Sequence, residues 1–352
     1  MVKLALGALV ALLFILTPAS AAKVEGGAHT ASAQKHTVKK VVAKRRSQAN
    51  VANLHHARVV RHVGGVRGKR VVMYRNVRNA HVLAAPAARS AGDVAGLNLT
   101  RDPLALASSV ALVLDQSNSE ILFEKNANVA LPIASITKLM TGLVVVLAQQ
   151  DMHEVLTVTD ADVDTEKHTS SRLRVGASMT RGDLLHIALM SSENRAASAL
   201  GRNYPGGITA FVAAMNAKAL QLGMMDTRYV DSSGLSSRNV ASARDLAKLA
   251  MVAHQEPLLR EYSTDPKYQV DAGGRIMHYS NTNYLVTSPD WQIGLQKTGF
   301  INEAGRCLVM QTMIQGRAVI MVFLDSKGKQ SRTADAGRMR RWLEAVKSPG
   351  VG

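Results

Sequence analysis

Leu131-Pro-Ile-Ala-Ser-Ile-Thr-Lys-Leu-Met140 sets Ser135 and Lys138 three residues apart at the head of an apolar run, Leu139 to Ala148. The run predicts a buried helix, and residues i and i+3 share a helix face. A hydroxyl and an amine on the first turn can therefore touch, beside the helix's unsatisfied N–H groups and positive dipole end. That is a seat for a serine nucleophile with a lysine as its base. Spacing alone does not select it, because Ser32/Lys35 and Ser326/Lys329 repeat S-x-x-K.

Elements on either side of this helix define the fold class. Val110 to Asp115 and Glu120 to Lys125 are β-rich runs around a Gln-Ser-Asn-Ser turn and predict a hairpin. Val155–Val158 and Arg172–Val175 read as short strands. Thr180-Arg-Gly-Asp183 opens a helix that breaks at Ser191-Ser-Glu-Asn194 and restarts at Arg195. Gly207 to Leu222 and Ser242 to His254 predict further helices. Strands return at Arg275–His278, Gln292–Thr298, Arg306–Thr312 and Ala318–Leu324, the last two joined at Gln315-Gly316, and Asp335 to Val346 closes as a helix. The order predicts an α/β (α+β) body: one antiparallel sheet assembled from both chain ends, backed by helices, with a helical region beside it.

Charge divides the chain. Of a net +17, the stretch from Lys23 to Ala91 carries roughly 15 Lys/Arg against the single acid Glu25. That stretch shows neither helical period nor alternation, which predicts a disordered basic arm with a linker at Ala84 to Gly96. Such an arm suits an anionic wall polymer or membrane surface. Ahead of it, Met1-Val-Lys3, the apolar run Leu4 to Leu16 and Pro18-Ala-Ser-Ala-Ala22 form a signal-peptide pattern with cleavage after Ala21. The expected organisation is a signal peptide over 1–21, the arm and linker over 22–97, a catalytic domain over 98–347 and a tail over 348–352. Export then makes the protein periplasmic and nucleic acid an unsuitable partner for the arm. Cys307, the only cysteine, lies in Cys-Leu-Val-Met and reads as a buried hydrophobe. The eleven histidines lack metal-site grouping, so neither metal nor cofactor is expected.

Two further motifs choose among the serines. Ser192-Glu-Asn194 falls at the helix break, and Lys297-Thr-Gly299 ends an apolar strand. In a chain of this length S-x-x-K arises by chance on the order of once, but K-T-G only on the order of a tenth of a time. Lys297-Thr-Gly299 occurs once, whereas S-x-N has a second copy at Ser237-Arg-Asn239. Glu193, in the variable position, reads as a surface charge. Taken singly, each motif also has an ordinary structural use: a solvated helix lysine, helix caps, a lysine ending an edge strand.

The set S-x-x-K, S-x-N, K-T-G is the signature of penicillin-binding proteins and β-lactamases. With Asp231-Ser-Ser-Gly-Leu235, Ala243-Arg-Asp-Leu-Ala-Lys248 and Lys297-Thr-Gly-Phe-Ile-Asn-Glu-Ala-Gly305, the chain resembles the low-molecular-mass serine D,D-peptidases of peptidoglycan. Within them it is most similar to the D-alanyl-D-alanine endopeptidases of the penicillin-binding protein 7 type, over roughly residues 100 to 347. The resemblance implies a β-lactamase/transpeptidase-like fold, a peptidoglycan substrate and covalent trapping by β-lactams. It implies Ser135 as acyl-ester nucleophile and Lys138 as general base, neutral through burial and neighbouring positive charge. Ser192 would relay the proton, Asn194 would hold Lys138 and the substrate amide, and Lys297 with Thr298 would bind the substrate carboxylate. Gly299 would let the substrate backbone lie against the strand, and the N–H groups of Ser135 and Phe300 would form the oxyanion hole.

Alternatives remain at this level. A D,D-carboxypeptidase would use the same chemistry, although the short stretch after Gly299 favours the endopeptidase type. A β-lactamase would need a deacylating Glu, which Glu256-Pro-Leu-Leu-Arg260 imitates with an Arg where an Asn is expected. A non-catalytic wall-binding protein would not need Ser135, Lys138 and Lys297 together.

Overall fold

The computed structural model describes residues 59–66, 69–76 and 89–346. The signal peptide, most of the basic arm, the Ser32/Lys35 pair and the tail lie outside the described residues. Within the arm, Val59–Val66 and Lys69–Asn76 pair as antiparallel strands, where the lack of alternation predicts disorder.

In the body, five strands form one antiparallel sheet. Strands β1 (Ser108–Asp115) and β2 (Ile121–Lys125) come from its beginning. Strands β3 (Gln292–Ile301), β4 (Gly305–Ile314) and β5 (Arg317–Ser326) come from its end. The order is β3-β4-β5-β1-β2, so the sheet is assembled from both chain ends as expected, and β3 is an edge. Gln315 and Gly316 both have positive φ, the geometry that lets a two-residue turn join twisted strands β4 and β5.

The sheet is apolar on both faces because alternate residues serve different cores. Val110, Leu112 and Leu114 of β1 face the helical layer, while Ala111 and Val113 face the opposite side. Helix α7 (Ser331–Ala345) covers that opposite side through Ala336 and Met339. The helical layer comprises α1 (Thr137–Leu147), α2 (Arg181–Met190), α3 (Asn194–Arg202), α4 (Gly207–Gln221), α5 (Ala243–Ala253) and α6 (Pro257–Thr264). Helix α1 is buried from Thr137 through Val145, as its continuous apolar run requires. A capping box of Thr180 and Asp183 starts α2. Cys307 is fully buried, and burial pushes its thiol pKa up to about 12, as suits an inert core residue.

Several expected elements differ. Arg172–Val175 is not a strand; Val155–Thr157 pairs instead with Ser178–Thr180. Side chains occupy the backbone groups a ladder would have used: Arg195 donates to Leu173 O at 2.6 Å, and Leu173 N–H donates to Ser171 Oγ. The Arg275–His278 strand exists as Ile276–Ser280 but pairs with Lys267–Asp271 in a separate ribbon. Helix α7 begins at Ser331, ahead of the expected Asp335. The end of the linker is built into the body. Ser90 caps a short helix, Ala91–Val94, and Lys327 donates to Ser90 Oγ at 2.6 Å and Asp93 Oδ2 at 2.7 Å.

Asp335 joins the two chain ends. Its fully buried carboxylate accepts from Ala107 N–H, Ser108 N–H and Ser108 Oγ at the start of β1, and from Arg338 within α7. Asp335→Ala strands these donors, and each unsatisfied buried group costs about 1–3 kcal/mol. The expected outcome is a loss of about 3 kcal/mol or more in urea unfolding, with the denaturant slope unchanged.

Candidate active site

The Ser135 turn is clamped before it reaches the helix. Leu131–Pro132 pairs with Val240–Ala241, and Ile133 N–H donates to Asn239 O at 3.0 Å. Ala134 then adopts φ +49°, a left-handed value uncommon for a residue with a Cβ. Ser135 lies in the 3-10 turn Ala134–Ile136, and α1 starts only at Thr137. The serine therefore stands just ahead of the first α turn, not in it.

Lys138 is fully buried and its Nζ reaches three oxygens: Ser135 Oγ at 2.9 Å, Asn194 Oδ1 at 2.8 Å and Ser233 O at 2.6 Å. Two of these are carbonyl oxygens, which can only accept. A neutral amine has two protons for them, which leaves its lone pair facing the Ser135 hydroxyl. Burial is the main cause that brings the Lys138 pKa down to about 8, while the charges of Asp231 and Glu193 oppose it. This corrects the expectation that neighbouring positive charge acts on Lys138. The cationic neighbours act on Lys297, which burial, then Lys138 and Arg332, hold well below the ordinary lysine range.

Ser192, Asn194 and Lys297 converge on the same place. Ser192 occupies the break between α2 and α3 with φ +64°. Lys297, fully buried on edge strand β3, donates to Ser192 Oγ and to Thr298 O, each at 2.9 Å. Asn194 opens α3; its Oδ1 takes Lys138, and its Nδ2 donates to Thr169 Oγ1 at 3.1 Å. Thr298 Oγ1 and Thr282 Oγ1 share a 2.6 Å hydrogen bond. Phe300 is half exposed, with the Arg306 guanidinium 4.5 Å from its ring centroid.

Two assignments change in physical reason. A Cβ on Gly299 would come 2.8 Å from Ile133 O and 3.2 Å from Ser135 N, so this glycine admits the serine turn itself. Glu193 is not a surface charge. It is mostly buried, caps α3 through Arg195 N–H and accepts the Ser171 hydroxyl at 2.6 Å.

Other contributors carried no chemical label in the sequence. Asp231 accepts from Ser233, Gly234 and Ser236 N–H groups and so shapes the loop that offers Ser233 O to Lys138. Asn239, from the second S-x-N, donates to Thr137 Oγ1 and Asp231 O and accepts Val230 N–H. Arg332 donates to Gly299 O at 2.7 Å from beneath the strand. Lys167 and Glu303 pair at 2.5 Å and link the loop before Thr169 to the turn after β3.

Comparison with known proteins gives the family and the fold. Residues 98–328 match the family model Peptidase_S11, described as D-alanyl-D-alanine carboxypeptidase. The chain is 49% identical over 252 residues to the D-alanyl-D-alanine endopeptidase of Pseudomonas aeruginosa, covering 71% of this chain and 80% of that protein. It is 42% identical over 270 residues to the D-alanyl-D-alanine endopeptidase of Escherichia coli, covering 76% and 87%. Among solved structures, a Streptomyces DD-transpeptidase superposes with a TM-score of 0.64 at 27% identity, covering 70% of this chain and 100% of that one. Penicillin-binding protein D2 of Listeria monocytogenes, in its cefotaxime-bound form, superposes with a TM-score of 0.61 at 29% identity, covering 68% and 98%. The fold is therefore transpeptidase-like.

Gly234 tests how tightly the site is pinned. Its φ is +81°, and a Cβ there would stand 2.0 Å from Ala134 O. Gly234→Ala is expected to cost more than about 2 kcal/mol in chemical denaturation, whereas Gly274→Ala, at an equally positive φ in open space, should cost less.

Proposed function

The chain belongs to the D-alanyl-D-alanine carboxypeptidase family Peptidase_S11, and on that premise we propose that it is a penicillin-sensitive serine D,D-endopeptidase that hydrolyses D-alanyl cross-links in peptidoglycan. The observation that carries this reading is Lys138 Nζ, 2.9 Å from Ser135 Oγ with its other partners fixed as acceptors. Ser135 Oγ attacks the D-alanyl carbonyl carbon as Lys138 takes the hydroxyl proton. The N–H groups of Ser135 and Phe300 receive the oxyanion. As the C–N bond breaks, the proton that Lys138 took passes to the leaving amine through Ser192, which Lys297 holds, and Lys138 is neutral again. Asn194 keeps Lys138 and the substrate amide in line. Lys297 and Thr298 bind the substrate carboxylate. Water, activated by Lys138, then frees Ser135 from its ester. A β-lactam follows the same first step and stays attached.

The two endopeptidase relatives favour the cross-link over the terminal D-Ala as the bond cleaved. A D,D-carboxypeptidase is the second reading, favoured by the description of the matched family and by a 28% identical carboxypeptidase of Bacillus subtilis. Residues 1–21 would export the protein to the periplasm, and the basic arm would hold it against anionic wall polymer or membrane. No described helix is long and apolar enough to cross a membrane.

Labelled penicillin should form a covalent adduct on the wild-type chain and none on Ser135→Ala; an adduct elsewhere would sink the mechanism. Mass spectrometry of muropeptides should show dimers disappearing, whereas loss of terminal D-Ala alone would make it a carboxypeptidase. Lys138 must be neutral to act as base, so acylation should rise with pH and level off above about 8, falling about tenfold per unit below that. Because Glu193 raises the Lys138 pKa, Glu193→Gln should move this limb to lower pH.

A further inference from the structure

A polar cavity of about 320 Å³ adjoins Ser192. Ser170, Ser171 and Arg172 line it together with the Ser191–Asn194 break and Tyr279. Tyr279 is 1% exposed, yet its hydroxyl has no hydrogen-bond partner among the described residues. An orphaned buried hydroxyl costs about 1–3 kcal/mol, so a ligand that satisfied it would recover that loss. The Arg172 guanidinium sits 4.3 Å from the Tyr279 ring centroid and spends one donor on His278 O at 2.7 Å. A guanidinium has five donors. The wall also offers an acceptor, the Glu193 carboxylate.

Position identifies what the cavity would hold. Ser192 is bonded to Lys297, Thr298 to Thr282, and Thr282 N–H to Met190 O at 3.1 Å. Tyr279, Ser192 and the Lys297-Thr298 end of the motif therefore sit together. In the mechanism above, that is the side of the departing amine and its carboxylate. A departing D-Ala would end there. A departing peptide strand continues and needs further polar space.

We infer that this cavity is the subsite for the leaving strand, whose carbonyl or carboxylate oxygens are received by Arg172 and the Tyr279 hydroxyl. The inference rests on the endopeptidase reading and adds the residues that would select a cross-linked substrate over a terminal D-Ala.

The test uses the full chain with three substrates: purified cross-linked muropeptide dimers, a monomeric pentapeptide ending in D-Ala-D-Ala, and labelled penicillin. Arg172→Ala should lower kcat/KM on dimers about tenfold, mainly through KM, as expected for one lost charge-assisted hydrogen bond. Ser170→Trp, which fills the cavity, should lower it further. Both variants should shift the ratio of dimer cleavage to penicillin acylation, whereas Arg174→Ala, outside the cavity lining, should not. Unchanged dimer cleavage in both variants overturns the subsite, and so does an equal fall on all three substrates. A wild-type chain that acylates with penicillin but leaves dimers intact overturns the endopeptidase reading itself.

Discussion

Burying the amino group of Lys138 is the constraint around which the site is built. A lysine removed from water is tolerated only if it loses its charge or finds partners for every proton. Here the partners come from three separated segments: Ser135 ahead of α1, Asn194 at the start of α3 and Ser233 in the loop shaped by Asp231. Those segments must meet within hydrogen-bond distance, and the local backbone pays for it in strain. Ala134 and Ser192 both take left-handed φ values, and Gly234 and Gly299 leave out side chains that would strike the serine turn.

The second buried lysine gives the site its electrostatic logic. Lys297 lies on the edge strand with Arg332 beneath it, and Lys138, whenever it is protonated, adds a further repulsive charge. Burial and like charge weaken the charged form of such a group, and an anion beside it strengthens that form. In the proposed mechanism the substrate carboxylate supplies that anion, so binding would favour the charged form of Lys297, and the neutral fraction of Lys138 acts as base. The two carboxylates near Lys138, Asp231 and Glu193, keep its pKa from falling further. Glu193 thus belongs to the site's electrostatics as well as to the cap of α3.

The sheet makes this arrangement possible because it is closed by both ends of the body. Strand β3, which carries Lys297 to the serine turn, is joined to β1 only through β4 and β5. The Asp335 carboxylate fastens the start of β1 to α7, and Lys327 fastens the segment ahead of β1 to the end of β5 through Ser90, Asp93 and Asp325. These contacts explain why the last part of the linker is structured. Its Ala- and Gly-rich composition says little, but Ser90 and Asp93 form a capping box that reads equally well as a loop until Lys327 is beside it.

The sequence alone determined the elements that depend on local pattern: the apolar strands, the buried helix after Ser135, the hairpin at Gln315-Gly316 and the order of the three motifs. It also separated Ser135 from its imitators, because only that pair accompanies Lys297-Thr-Gly299. Tertiary structure decided what depends on residues far apart in the chain. It turned Arg172–Val175 from a strand into a loop by giving Leu173 O to Arg195, and it buried Glu193. It made Asn239 a staple, assigned Gly299 to the serine turn and placed Arg332 beneath the motif strand. The physical reason is the same throughout. Periodicity reports which face of an element is buried, whereas a lysine's charge state, a glycine's necessity and a carboxylate's partner depend on neighbours that only folding supplies.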